Sequence, residues 1–227
     1  VRSVLRRVTT ERAVLVVDPE LPAEVRDEAA QQALRGTGRG PLRDAVLFDA
    51  APGRRYFDDP AALLAELSTR PGAPRALWTA EQGQPVPAAA ERVALHSAAW
   101  HEALATSRWI VVNDDLPRWF TPRAGQVVLR LAGGWPVARI GVKARAHPLG
   151  RELTDQITAD AAKWTALAAP DDSAVPVLRE EFRFDGEVLA YGRPGNDPLH
   201  HTDQETARAE VLRRLGLPAG TRLILYA

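Results

Sequence analysis

Histidine is the side chain best suited to take a proton near neutral pH, and this chain of 227 residues has five: His96, His101, His147, His200 and His201. Their spacing forms no metal pair of the His-x-x-x-His or Glu-x-x-His kind, and no serine sits in a Gly-x-Ser-x-Gly elbow. His96 and His101 flank the start of a helix and read as surface residues. His147 lies in a loop before Pro148, nearest in sequence to a double-glycine turn, and is the candidate for a catalytic histidine. His200 and His201 follow an Asn-Asp-Pro loop and read as residues at a helix N-terminus. Asp58-Asp59 sits between a strand and a helix, and helix capping is its favoured role. Asn196-Asp197 could cap as well, but falls in a glycine-rich loop after a strand, where α/β domains place ligands. Asn113 closes the apolar run WIVVN and so stands at another strand's carboxyl end.

The stretch that must position these groups is Gln126 to Gly141, QVVLRLAGGWPVARIG. Val127, Val128, Leu129 and Leu131 make a short apolar run suited to a strand buried on both faces. Gly133 and Gly134 allow a turn with positive φ or a close approach to a ligand. Pro136 suits the first turn of a helix, and a glycine turn feeding a helix start can present free N–H groups to an anion. Parallel α/β domains also use such turns for structure alone.

Around this centre the apolar runs alternate with helical ones. Strands are expected at Ala13–Asp18, Asp44–Asp49, Arg75–Thr79, Arg92–Leu95, Trp109–Asn113, Gln126–Leu131, Trp164–Ala168, Glu187–Ala190 and Arg222–Tyr226. Helices are expected at Leu21–Arg35, Pro60–Thr69, Ala98–Ala105, Arg151–Lys163, Asp172–Phe182 and Thr202–Leu215. This alternation indicates an α/β domain with a mostly parallel sheet. Trp78, Trp109 and Trp164 lie in strands and read as core, whereas Trp119 and Trp135 lie in loops and could line a cleft.

Composition narrows the function. Lys+Arg and Asp+Glu number 29 each, so there is no electrostatic case for nucleic acid. The absence of cysteine excludes a disulfide, a thiolate metal site and a cysteine nucleophile. No apolar run approaches the roughly 20 residues of a membrane span, so membrane contact would be peripheral. The N-terminus lacks a signal-peptide core.

Five segments, in order, resemble the CDP-glycerol glycerophosphotransferase family of teichoic-acid synthesis. FDAAPGRRYFDDP (Phe48 to Pro60) resembles the family's Phe-Glu-Ser…Gly-Lys…Tyr-x-Asp-Asn-Pro, and SRWIVVN (Ser107 to Asn113) its Ala-Lys-Tyr-Trp-Ile-x-Asn. RLAGGWPVARIG stands where the family has Gln-Thr-Trp-His-Gly-Thr-Pro-Leu-Lys-x-x-Gly. GRPGND (Gly192 to Asp197) resembles Gly-x-Pro-Arg-Asn-Asp, and the terminal RLILYA resembles a segment continued by Pro-Thr-Trp-Arg. Together they cover roughly residues 44–227.

The resemblance implies two Rossmann-like domains facing a cleft, the GT-B arrangement, with this chain as the N-terminal, acceptor-side one. It divides the chain into a strand/helix segment and connection at 1–40, a Rossmann-like three-layer domain at 41–220, and the first strand of a truncated C-terminal domain at 221–227. The implied reaction passes glycerol phosphate, or a related polyol phosphate, to a lipid-linked polyol-phosphate acceptor. The implied location is the cytoplasmic face of the plasma membrane, held peripherally. The donor, CDP-glycerol or a similar molecule, would belong to the missing domain, so the chain alone is expected to be inactive. No cofactor and no metal is implied.

The substrate-binding residues carried over are Asn113, Gly133, Gly134, Arg139, Asn196 and Asp197. Gly133 occupies the position of the family histidine, the natural base, and glycine cannot accept a proton. Ala132, Trp135 and Ala138 replace the neighbouring tryptophan, threonine and lysine, and Gly195 replaces an arginine, which removes two phosphate-pairing charges. His147 is the nearest substitute in sequence. A degenerate, non-catalytic wall-polymer domain and a GT-B glycosyltransferase with another nucleotide-activated donor are the alternatives.

Overall fold

The computed structural model describes Val25, Asp27 and residues 40–50, 58–81, 83–136, 141–144, 150–201 and 203–224. The expected strand at 13–18 and all of the expected helix at 21–35 except Val25 and Asp27 lie outside the described residues, as do Arg139 and His147.

Among the described residues, seven strands form one sheet: β1 (Arg43–Asp49), β2 (Arg75–Ala80), β3 (Glu91–Ala94), β4 (Ser107–Val112), β5 (Val127–Leu131), β6 (Ala166–Ala168) and β7 (Glu187–Leu189). Their order is β3-β2-β1-β4-β5-β6-β7, and every pairing is parallel. Parallel strands must be connected by crossovers, which cover both faces and make the strands apolar throughout. In β1 the side chains alternate between two cores. Ala45 and Leu47 face one, with Trp100, Leu104, Ile110, Val128 and Leu178; Val46 and Phe48 face the other, with Leu64, Trp78 and Val111. Phe48 and Trp78 stack with ring centroids 5.3 Å apart.

Helix α1 (Asp58–Thr69) covers the second face through Leu64. Helix α2 (Ala98–Thr106) covers the first through Trp100, Ala103 and Leu104, and its N-cap Ser97 accepts from Trp100 N–H at 3.2 Å. Helices α3 (Gly141–Ala144), α4 (Gly150–Ala161) and α5 (Val175–Phe182) follow, and Ala161 and Leu178 place α4 and α5 on the first face too. A short α6 (Pro198–His201) and an exposed α7 (Gln204–Arg214) complete the described chain. This is the three-layer, Rossmann-like α/β fold read from the sequence.

Some local expectations are corrected. The helix expected from Asp172 opens as a 3-10 turn at Asp172–Ala174, because Asp171 accepts from Ala174 N–H at 3.0 Å. The helix expected at Thr202–Leu215 starts at Gln204, where Asp203 accepts from Thr206 N–H at 2.9 Å and sets the N-cap. Trp164 precedes its strand rather than lying in it, packed against Phe182 and Phe184. Pro136 is not helical; among the described residues the helical backbone next after the glycine turn is at Gly141–Ala144. Residues 222–224 form no strand.

Gly141 fixes where the chain goes after that turn. Its φ is +57°, and a Cβ would collide with the Glu181 carbonyl on α5 and stand 2.9 Å from the Glu181 Cβ. Gly141→Ala is therefore expected to destabilise by about 3 kcal/mol, from strain and overpacking together. Gly72→Ala, at φ +70° but with open space around it, should cost about 1 kcal/mol. Urea unfolding of the two variants checks this, and equal losses would contradict the close approach.

Candidate functional site

Because all strands run the same way, their carboxyl ends meet at one edge of the sheet. That edge carries Asp49 at the end of β1, Asn113 to Asp115 after β4, the Gly133-Gly134 turn after β5 and the Gly192–Asp197 loop after β7. The strand order reverses between β1 and β4, and open α/β sheets bind ligands in the crevice at such a point.

Gly133 adopts φ +77°, with nothing within 4 Å of a Cβ placed there. Gly134 is exposed, and its Cβ position lies 3.4 Å from Arg193 Nη1, so the turn meets the loop after β7 directly. Arg193 is held from below. Its Nη2 donates to Asp58 Oδ1 at 2.5 Å and its Nε to Asp59 Oδ2 at 3.4 Å. The Gly195 N–H donates to Asp59 Oδ1 at 2.9 Å, and a Cβ on Gly195 would press on both carboxylates. The two aspartates expected as helix caps thus reach across to hold the GRPGND loop. Asn196 and Asp197 stand exposed on its rim. Asn113 is half-buried, Trp135 is exposed, and the Trp135 indole N–H donates to Ser173 Oγ at 3.0 Å.

The loop after β4 is fixed from the other side. Asp160 Oδ1 accepts from Leu116 N–H at 3.1 Å and from Lys163 Nζ at 3.1 Å, while Lys163 also donates to the Pro117 carbonyl at 3.0 Å. Burial pushes the Asp160 carboxyl above its usual range, against the pull of Lys163. Arg130 is buried on β5 with its guanidinium 5.4 Å from the Trp164 ring; burial lowers its pKa, opposed by Asp115, Asp160 and Asp114.

A cavity of about 580 Å³ opens at the reversal point, lined by Asp27, Asp49, His96, Trp100, Asp115 and Trp119 among others. Asp49 is 9% exposed, and its Oδ1 has no hydrogen-bond partner among the described residues. Burial raises its pKa from 3.8 to about 6, against the opposing effects of Thr79, Trp100 and His96. Asp27 bridges two imidazoles, with His96 Nδ1 at 2.6 Å and His101 Nε2 at 3.2 Å. His96 is exposed as expected, but His101 is not: it is 3% exposed, on the helix face turned to the sheet, with Nδ1 against the Ser97 carbonyl at 2.7 Å. Trp100 meets both rings edge-on at 5.2 and 4.9 Å, and Trp119 lies 5.7 Å from His101. Trp119 therefore lines a cleft, as its loop position suggested.

The structure brings Asn113, Gly133, Gly134, Asn196 and Asp197 to one edge. Sequence reasoning missed Asp49, Asp27 and Arg193. For Asp49 a signal existed: a carboxylate closing the apolar run DAVLFD is in a buried strand and needs a reason.

An open, all-parallel sheet with polar groups gathered at its carboxyl edge and order reversal defines a Rossmann-type ligand-binding domain. Comparison with known proteins is more specific. Residues 39–227 match the family described as CDP-Glycerol:Poly(glycerophosphate) glycerophosphotransferase, and the chain belongs to that family. It is 23% identical over 192 residues to the teichoic acid poly(glycerol phosphate) polymerase of Bacillus subtilis (strain 168), covering 82% of this chain and 26% of that protein. It is 24% identical over 200 residues to the teichoic acid glycerol-phosphate transferase of Staphylococcus aureus (strain NCTC 8325 / PS 47), covering 82% of this chain and 50% of that one. The fold is shared with the wall teichoic acid polymerase TagF, in a variant soaked with CDPG, at a TM-score of 0.81 and 20% identity, over 88% of this chain and 52% of TagF. The chain thus spans about half or less of the relatives it matches.

Two outcomes follow from this geometry. Arg193→Ala leaves the buried Asp59 carboxylate without its cation and should cost about 3 kcal/mol in urea unfolding, whereas Asn196→Ala should stay within about 0.5 kcal/mol of wild type. Asp49 binds its proton more tightly folded than unfolded, so its contribution falls as pH rises from 3.8 through about 6. Relative to Asp49→Asn, wild type should lose about 2 kcal/mol of stability between pH 4 and pH 7, read from melts at each pH. Parallel pH curves would show that Asp49 is not held as a buried acid.

Proposed function

We propose that this chain is the acceptor-side, N-terminal half of a GT-B transferase that moves glycerol phosphate, or a related polyol phosphate, from CDP-glycerol to a hydroxyl of a lipid-linked wall-polymer acceptor. The family match across residues 39–227 carries this reading. Support comes from the placement of Asn113, Gly133, Gly134, Asn196 and Asp197 at one edge, where an acceptor could meet a donor held by a facing domain. The donor half lies outside this chain in the reading. In this reading contact with the lipid-linked acceptor is peripheral, at the inner face of the plasma membrane; no described helix is long and apolar enough to cross a membrane.

A second reading has one observation in its favour. Gly133 sits at φ +77°, a conformation that side-chain-bearing residues rarely adopt, so the turn is shaped for glycine and not for the family histidine. On that basis the domain would keep its fold as a non-catalytic part of a larger wall-polymer protein.

Incubating the full-length protein with labelled CDP-glycerol and a lipid-linked polyol-phosphate acceptor separates the two. Transfer coupled to CMP release is the expected result. Donor binding without transfer to any polyol or lipid-linked acceptor would establish the second reading, and turnover only with another nucleotide-activated donor would move the protein to a different GT-B reaction.

A further inference from the structure

The cavity at the reversal point combines three features that belong together in a proton-transfer site. First, Asp27 is buried and holds His96 through Nδ1 at 2.6 Å, while the imidazole itself remains about half exposed, at 46%. A neutral ring whose Nδ1–H donates a hydrogen bond to a carboxylate presents Nε2 as the acceptor, which is the orientation a general base needs. Second, His96 has φ +60°, an uncommon conformation for a residue with a side chain. Strained residues of this kind persist where surrounding contacts hold them, as Asp27 and the Trp100 edge do here. Third, Asp49 shares the cavity wall, more than nine-tenths buried, with Oδ1 unsatisfied among the described residues.

The lining indicates the ligand. Asp27, Asp49 and Asp115 outnumber Arg118, so a phosphate would meet net negative charge. A hydroxyl group instead offers a donor to Asp49 Oδ1, and Trp119, Leu116 and Pro117 supply apolar wall for a carbon skeleton. The cavity and the glycine turn lie at the same edge of the sheet, at the carboxyl ends of strands that include the paired β4 and β5.

We propose that this cavity takes the terminal polyol of the acceptor, that His96 accepts the proton of the attacking hydroxyl, and that Asp49 binds a neighbouring hydroxyl. Asp27 is a positioning residue, acting through His96. The assignment rests on the transferase reading above. In the step, the acceptor O–H breaks as its oxygen bonds to the glycerol-phosphate phosphorus of CDP-glycerol. The phosphoanhydride P–O bond breaks in turn, its electron pair leaving with CMP. The proton moves to His96 Nε2 and then to solvent. The charged and titratable groups facing His96 are Asp27 and Asp49, with Asp115 and Arg118 across the cavity, Asp114 beyond Asp49, and His101 behind Trp100.

The test is His96→Asn in the full-length protein, assayed with CDP-glycerol and the lipid-linked acceptor. Asparagine tolerates positive φ, and its amide N–H can replace the Nδ1 donor to Asp27, but it has no Nε2. The expected result is a kcat lower by about 10²- to 10⁴-fold, a KM within threefold of wild type, and loss of the acid limb of the kcat–pH profile. Asp27→Asn should also lower kcat, with the melting temperature followed to separate misfolding from mispositioning. Wild-type kcat and an unchanged pH profile in His96→Asn would overturn the base assignment and leave the transferase reading standing. A wild-type protein that binds donor but transfers nothing would overturn both.

Discussion

Parallel pairing of β1 with β4 is the constraint on which the rest of the molecule depends. Val46 to Asp49 run in register with Trp109 to Val112, with β2 and β3 on one side and β5 to β7 on the other. Because each neighbour runs in the same direction, every loop that follows a strand leaves from one edge. The polar ends of four strands are thereby collected without any polar group having to cross the core. The tightly packed faces below, including Leu47, Leu104, Ile110, Val128 and Leu167, are closed to solvent and leave that edge as the place where chemistry can occur.

The edge is held by charges rather than by further packing. Arg193 ties the loop after β7 to the start of α1, and Lys163 with Asp160 ties the loop after β4 to the end of α4. Both ties are partly or wholly buried, so removing one partner strands the other in a poorly solvated place. They also explain two glycines. Gly195 lets the loop backbone lie on the Asp58 and Asp59 carboxylates, and Gly134 leaves room for the guanidinium that those carboxylates orient. Each charge here has a protein partner across the tie, and that pairing sets where the loop lies.

The fold was legible because it is written in local pattern. VLF, LW, WIVV and VVL are apolar runs too short for helices and bounded by turn residues, and each became a strand. Helix starts were less legible, since Asp171 and Asp203 redefine them through single side-chain bonds. The site was legible only where it follows the strand ends, as for Asn113 and Gly134. Asp27 lies 69 residues from the histidine it holds, and nothing local marks a pairing at that separation. His101 was misread for a related reason: its helix carries little amphipathic signal, so which face meets the sheet is decided by Trp100 and Leu104 from the packing side. Arg193 and Gly195 are unreadable without knowing that two aspartates wait beneath them.

The bridge from Asp27 to His96 and His101 changes what counts as the domain. Similarity to the family begins at residue 39, and the sheet begins at Arg43. A unit trimmed to either point would retain every described strand and all five family-like segments, and would pass as intact by homology. It would nevertheless have lost the one carboxylate that orders both imidazoles at the reversal point. The boundary drawn by shared ancestry and the boundary drawn by electrostatics differ by a dozen residues, and the second is the one that an expressed fragment has to respect.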